Sequence, residues 1–477
     1  VSFPRKTRVV VVGTGAGGAV AAKELAERGV AVVALETGPR FTADDVDQRE
    51  ETTYPRLYAE GGRRGTRDKS LLIIQGRGLG GSTLHNTGLC FRTPDAIQRL
   101  WGLDLHHEIE RVERHMGVRP IREDEVNPMN AVLARGASAL GWRHLRANHN
   151  RIDCEGCGYC VLGCAYDKKQ GMALTYLPRA RAAGATLVPG ARVERLRRGN
   201  GKWHVTGFLH EAREGFDVEA EAVVLAAGAI DTPQLLLRSG IGGPDVGRSL
   251  RLHPSLPVGA IFDEKLRGFR GVPQSVIVTE HASFLESGHG GFLFLPAFGH
   301  PGTTALLAPG LGPAHWEVVR AYEHLAVAGV VLHDSTRGRV RPGWLGIERP
   351  RIDYWPEAED QRALREGVRA LARLFFAAGA RAVVLPFARA PIVRSEGELA
   401  SIESYPFLPH EVAVSSVHPQ ASCPIGDVLD ERGAVRGVEG LVVCDASAFP
   451  TSVGVPPQIT TAALSTRTAV ALAERLA

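Results

Sequence analysis

The hydrophobic pattern near the N-terminus is short and sharply bounded. Arg8 to Val12 is a β-branched run suited to a parallel strand buried on both faces. Gly13-Thr14-Gly15-Ala16-Gly17-Gly18 follows, then a helix pattern from Ala19 to Arg28 that Gly29 ends. A second apolar run, Val30 to Leu35, leads into Glu36. Strand and helix alternate again further on. Ala222 to Leu225 predicts a short strand ending at Ala227-Gly228, with Thr232 as N-cap, Pro233 in the first helical position and Gly240 closing the helix. Leu441 to Val443 reads as a strand that runs into Cys444-Asp445-Ala446, and a final helix starts near Thr460. Between these lie strand candidates at Val276 to Thr279, Phe292 to Leu295 and Val327 to His333. A long helix pattern, Glu359 to Ala378, begins with acids and stops near Gly379. Strands in succession with helices to one side predict an antiparallel sheet forming one wall of a pocket. Residues 101–150 read as a mainly helical bridge, clearest at Ala131 to Leu140. The Gly/Pro-rich stretch 299–314 reads as a surface loop.

The first of these patterns carries chemistry. Strand, glycine turn, helix, strand and acid stand in the order that a dinucleotide site requires. Gly13 makes the turn and Gly15, with Ala16 beside it, lets the backbone approach a pyrophosphate. Gly18 lets helix and strand pack closely, and the helix N-terminus offers amides and partial positive charge. Glu36 is placed to accept from ribose hydroxyls.

Two longer segments narrow the ligand. Residues 76–94 contain Gly76-Arg77-Gly78-Leu79-Gly80-Gly81-Ser82-Thr83-Leu84-His85-Asn86, and residues 228–242 begin Gly228-Ala229-Ile230-Asp231-Thr232-Pro233-Gln234-Leu235. Both resemble signatures of the glucose–methanol–choline (GMC) oxidoreductases, and the resemblance continues through Val246-Gly247-Arg248 to His253 and into the C-terminal region. It implies an α/β protein. A Rossmann-like FAD-binding domain would comprise 1–255 and 415–477, and an α+β substrate domain with an antiparallel sheet would comprise 256–414. The implied FAD contacts are Gly80, Gly81, Ser82 and Asn86 in the first signature and Ala227 at the second. Val193 would lie on the adenine side or simply in the core, and Asp445, Ala446, Pro457 and Gln458 would complete the set. Physically, Gly80-Gly81 allows a loop to lie against a flat ligand.

His418-Pro419-Gln420-Ala421-Ser422-Cys423-Pro424-Ile425-Gly426 is similar to the family segment that begins with the catalytic histidine. The resemblance implies oxidation of a CH–OH group of a small organic substrate, with FAD as hydride acceptor and His418 as proton acceptor. Imidazole, with an ordinary pKa of about 6.5, suits that proton. At Pro456 the sequence departs from the family, which usually has Asn or His there. Proline offers neither side-chain donor nor N–H. A group from the middle region or a water replaces the missing partner, the substrate needs one base alone, or the flavin serves elimination, isomerisation or desaturation.

Four cysteines crowd together as Cys154-x2-Cys157-x2-Cys160-x3-Cys164, the spacing of a bacterial ferredoxin run. Three readings stay open: an iron–sulfur cluster, a zinc site and unmetallated thiols. A cluster would give electrons an exit to an acceptor protein and favour a dehydrogenase over an oxidase.

Composition changes little in this picture. The 477 residues are 44% hydrophobic and 23% charged, with 56 Lys+Arg against 52 Asp+Glu. The small, diffuse excess of positive charge does not suggest a nucleic-acid partner. No run has the length and apolarity of a membrane helix and no hydrophobic signal core precedes the first strand, so the expectation is a cytoplasmic enzyme. Arginine greatly outnumbers lysine, which fits a GC-rich bacterial gene.

Overall fold

The valine run of the first strand is the centre of a sheet. In the computed structural model, which describes residues 3–297, 299–343, 349–389 and 392–477, Lys6–Val12 pairs in parallel with Val32–Glu36 on one side and Glu214–Leu225 on the other. Thr186–Pro189 extends this sheet beyond Val32–Glu36, and Leu441–Val443 adds a further parallel pairing with Glu214–Leu225. Lys202–Leu209 and Ala191–Gly199 continue it as an antiparallel wing. Helices Gly18–Ala26 and Gln458–Leu476 pack together beside it. Val9, Val10 and Val11 are fully buried, which explains why the strand has no polar alternation.

Glu214–Leu225 is longer than the four residues expected. Its first half alternates exposed and buried positions where it pairs with the wing, and its last four residues are all buried where it enters the parallel sheet. One strand therefore obeys two patterns, and only the buried half stands out as an apolar run.

The helix after it starts at Gly228 and ends at Arg238, so Thr232 and Pro233 are interior and not at its start. Pro233 cannot donate to the carbonyl of Ala229, four residues back. Ser422 Oγ donates to that carbonyl at 2.6 Å instead. Thr232 still serves the helix start, because its Oγ1 accepts from the Ala227 N–H at 3.1 Å.

A second sheet runs in the order Ile392–Val393, Ala382–Val384, Ser255–Ile261, Leu325–Leu332, Phe292–Pro296, Val276–Val278, His144–Arg146, with antiparallel neighbours. Val414–Ser416 joins it at Ser255 and pairs in parallel with Leu71–Ile73. Helix Ala358–Ala377 covers one face with Leu364, Val368, Leu371 and Phe375, all fully buried at helical spacing. It approaches closely because Gly367 has no Cβ, which would stand 2.3 Å from Val330 Cγ1.

The expected bridge, 101–150, holds helices His106–Met116 and Pro128–Ala139, but near its end His144–Arg146 is a strand of the second sheet. The stretch expected as a surface loop contains helix Pro301–Leu307 and the start of helix Pro313–Arg320. Each starts with proline in its first turn, where a missing N–H costs nothing. No helix among the described residues is long and apolar enough to cross a membrane.

Candidate active site

A cavity of about 770 Å³ runs from the N-terminal glycine turn to the second sheet. Its first part is built by close approach of two loops. A Cβ on Gly81, whose φ is +55°, would lie 2.7 Å from Gly15 Cα, and one on Gly13 would lie 2.4 Å from Ala226 O. Gly13, Gly15, Ala16, Gly81 and Ser82 all line the cavity. Gly18 and Gly80 do not. A Cβ on Gly18 would meet Gly13 O at 1.9 Å, so its part is to let helix pack on strand, and Gly80 takes a left-handed φ of +113° that shapes the loop. Gly17, which the sequence reading did not single out, lines the cavity and also packs on Cys444, whose carbonyl oxygen a Cβ would approach to 1.7 Å.

Glu36 organises this region. Its carboxylate accepts from Thr14 N at 3.0 Å, Thr14 Oγ1 at 2.8 Å, Gly38 N at 2.9 Å and Gly78 N at 3.2 Å, tying the first turn to the first signature. Burial raises its pKa against the pull of these donors. Asp445 repeats the arrangement at the second signature. It accepts from Thr232 Oγ1 at 2.6 Å, Gly228 N at 2.9 Å and Ser447 N at 2.8 Å, and burial raises it too. Ala227, Ala446 and Val193 also line the cavity.

The C-terminal helix closes the far side. Asn86 Nδ2 donates to Gln458 Oε1 at 2.8 Å, and Gln458 Nε2 donates to Leu89 O at 3.0 Å and reaches Cys90 Sγ at 3.2 Å. Burial pushes the Cys90 thiol up to about 12. Pro456, Pro457 and Gln458 line the cavity. His85 stacks on Tyr58, with centroids 4.0 Å apart, and its buried Nε2 has no hydrogen-bond partner. Burial, helped by Lys169, lowers His85 to about 3. A loop cradle without side chains, amide groups at its rim and an orphaned imidazole nitrogen suit a large ligand with polar edges. These residues fit a dinucleotide flavin.

His418 lines the part of the cavity toward the second sheet, whose contribution is Ser255, Leu295, Pro296, Gly329, Val331 and Ser415. Its Nδ1 lies 3.4 Å from His253 Nδ1, with the rings nearly perpendicular at 87°. His253 Nε2 accepts from Gly454 N at 2.9 Å. Burial holds both imidazoles well below the usual value, with His253 adding to the effect on His418 and His333 to that on His253. Gln420 braces the arrangement, donating to His418 O at 3.1 Å and accepting from Val453 N at 2.9 Å. The sequence reading reached His253 only as the end of a stretch of resemblance. Its partner lies 165 positions away, and no local pattern signals that pairing. His253 is a second imidazole beside His418, and Pro456, which also lines the cavity, offers no donor.

The cysteine run does not form a ligand set. Among the described residues no three or more His, Cys, Asp or Glu side chains gather in a way that could hold a metal ion. A cation stands at two of the thiols instead. Arg151, 1% exposed, points Nη1 at Cys154 Sγ (3.5 Å) and Cys160 Sγ (3.7 Å). Lys169, also buried, donates to Leu84 O at 3.0 Å, Asn86 O at 2.6 Å and Cys160 O at 3.1 Å. Cys157 and Cys164 are partly exposed, and Cys160 alone of the four lines the cavity. The segment is a brace behind the first signature, and the iron–sulfur and zinc readings find no support in its geometry.

Comparison with known proteins agrees with this architecture. Models of the GMC oxidoreductase N- and C-terminal regions match residues 54–255 and 334–465, and a model of the NAD(P)-binding Rossmann-like domain matches residues 11–54. An uncharacterized GMC-type oxidoreductase of Mycobacterium tuberculosis is 35% identical over 97% of this chain and 75% of its own length. A long-chain-alcohol oxidase of Arabidopsis thaliana is 31% identical over 94% of this chain and 65% of its own. Among solved structures, pyridoxine 4-oxidase from Mesorbium loti superposes with a TM-score of 0.73 at 20% identity, covering 97% of this chain and 98% of that one. A structure addressing FAD modification in the Aspergillus oryzae formate oxidase gives 0.75 at 16% identity, covering 100% and 99%. At such identities the structures speak for the fold alone, whereas the matched regions and the mycobacterial relative decide the family: the chain belongs to the GMC oxidoreductases, flavoproteins that act on alcohol-type donors.

Proposed function

We propose that this chain oxidises the CH–OH group of a small, largely apolar organic molecule, with His418 as the residue that meets the hydroxyl and accepts its proton. Bound FAD would supply the two-electron acceptor. The observation that carries the reading is the position of His418: it stands where the dinucleotide part of the cavity meets the wall lent by the second sheet. A neutral imidazole is the form that can accept a proton, and burial keeps His418 neutral well below the usual range. Leu295, Pro296 and Val331 make that wall apolar, with Ser255 and Ser415 as polar members. Such a wall selects an apolar carbinol, in keeping with the long-chain-alcohol oxidase among the relatives.

Asn86, Gln458, Ala227, Ala446, Asp445 and Glu36 are assigned to holding the cofactor, Val193 to its adenine end, and Ser82 with the glycine loops to its backbone cradle. The preference for a dehydrogenase rested on a metallated cysteine run, and without that ligand set it loses its support. Hydrogen peroxide release under air decides between the two acceptor types.

The decisive experiment is anaerobic reduction of the bound flavin by a panel of primary and secondary alcohols of increasing chain length. Bleaching by apolar members, lost in His418→Ala while FAD is retained, is the expected result. No bleaching by any alcohol would overturn the proposal. The lack of a donor at Pro456 then favours the second reading, in which the flavin serves elimination, isomerisation or desaturation.

A further inference from the structure

We infer that His253 is a positioning residue that fixes the proton of His418 on Nε2, so that the resting cavity presents an N–H, and not a lone pair, to the substrate oxygen. This rests on the reading of His418 as the residue that meets the substrate.

A backbone N–H can only donate. Gly454 N donates to His253 Nε2 at 2.9 Å in the interior, so Nε2 brings a lone pair. A neutral imidazole has one donor and one acceptor, which places the His253 proton on Nδ1. That nitrogen faces His418 Nδ1 across 3.4 Å, a long contact with the rings nearly perpendicular. His418 Nδ1 must then accept, and its own proton sits on Nε2. Among the described residues nothing is bonded to His418 Nε2, and the ring lines the cavity. Burial keeps both rings neutral, so the one-donor, one-acceptor accounting applies to each.

The surroundings are built to hold this arrangement. His253 has a φ of +47°, uncommon for a residue with a side chain. Asp334 fixes it by accepting from Leu252 N at 2.9 Å and His253 N at 3.3 Å. The same carboxylate accepts from Ser452 Oγ at 2.8 Å and Tyr354 Oη at 2.8 Å. One buried acid thus fixes His253 and the segment that carries Gly454.

The consequence concerns proton acceptance. For Nε2 of His418 to take a hydroxyl proton it needs a lone pair, which moves the His418 proton to Nδ1. His253 Nδ1 must then accept, and the His253 proton moves to Nε2, against the Gly454 N–H. Leaving that buried N–H without an acceptor holds the proton-accepting form to a minority of roughly one in ten to one in a hundred. In that exchange the His253 Nδ1 proton passes to His418 Nδ1, the His418 Nε2 proton leaves to water in the cavity, and water returns one proton to His253 Nε2, so both rings stay neutral before the proton leaves the substrate.

Nitrogen-15 spectra of the FAD-loaded protein labelled at histidine test this at neutral pH, with the His418 signals identified by their loss in His418→Gln. Expected are a protonated Nε2 and an unprotonated Nδ1 for His418. The opposite pattern overturns the inference. His253→Leu removes the donor and should shift the His418 nitrogens toward averaged positions. His253→Asn, whose amide nitrogen replaces Nδ1, should restore the wild-type pattern. Unchanged His418 signals in His253→Leu would equally overturn it. If His253→Leu fails to load FAD, the wild-type and Asn spectra still decide. The spectra need no substrate: a protonated Nε2 in a protein that oxidises no alcohol would keep this inference and remove the proposed reaction.

Discussion

Ser422 Oγ donates to the Ala229 carbonyl at 2.6 Å, the acceptor that Pro233 leaves open in the helix of the second signature. Two distant segments are joined by one bond that repairs a break in a helix. Ser422 is fully buried, so Ser422→Ala leaves the carbonyl without a partner. Such a loss costs about 1–3 kcal/mol. The expected outcome is a lower denaturant midpoint with FAD still bound. A midpoint equal to wild type would show that the carbonyl finds another donor.

Glu36→Gln tests the loop junction. The carboxylate takes four protein donors, two on each oxygen. An amide can offer an acceptor to only one pair and must point its own N–H groups at the other. The substitution should weaken FAD retention by roughly tenfold or more, read by titration of the apoprotein with FAD. Retention unchanged would mean that the loops hold their shape without this carboxylate.

How much of this was legible in the sequence follows from how local each feature is. The glycine turn, its flanking strands and Glu36 are adjacent or nearly so, and elementary backbone chemistry defines their roles. Asn86 and Gln458 lie 372 positions apart, and the resemblance placed both at the cofactor, though not their bond to each other. His253 with His418, and Ser422 with Ala229, depend on loops meeting in space, and nothing in their spacing announces it. The cysteine run shows the reverse failure. Its spacing is that of a cluster, yet Arg151, three residues before Cys154, places a guanidinium at two of the thiols. Only four residues of the strand Glu214–Leu225 stand out in the sequence, because the pattern changes where one face stops being solvated.

Metal analysis tests the cysteine segment directly. Anaerobically purified protein should contain neither stoichiometric iron with acid-labile sulfide nor stoichiometric zinc. Stoichiometric metal of either kind would show that the thiols rearrange around an ion and that Arg151 is displaced. Cys154→Ser should retain FAD, since Cys154 does not line the cavity.

Acid sensitivity of the fold follows from its buried imidazoles. Burial lowers His85 to about 3 and holds His149, His253 and His418 well below the usual value. Nearby cations add to the effect, Lys169 on His85 and Arg151 on His149. The unfolded chain protonates the same groups near about 6.5. Below that value the unfolded state binds more protons than the folded one, so stability rises with pH and is lost as pH falls. Glu36 and Asp445, raised by burial, act in the opposite sense because they are protonated earlier in the folded chain. Burial lowers His115, His281, His300 and His333 as well, so the lowered imidazoles outnumber the two raised carboxylates and give a net loss on acidification. The thermal midpoint should drop by roughly 5–10 °C between about pH 7 and about pH 5, measured on FAD-loaded protein at constant ionic strength. His149→Gln removes a group buried behind the cavity and should flatten the slope. A midpoint that stays level or rises on acidification would show that these rings take up protons in the folded chain, and with them would go the neutral state on which the roles of His253 and His418 depend.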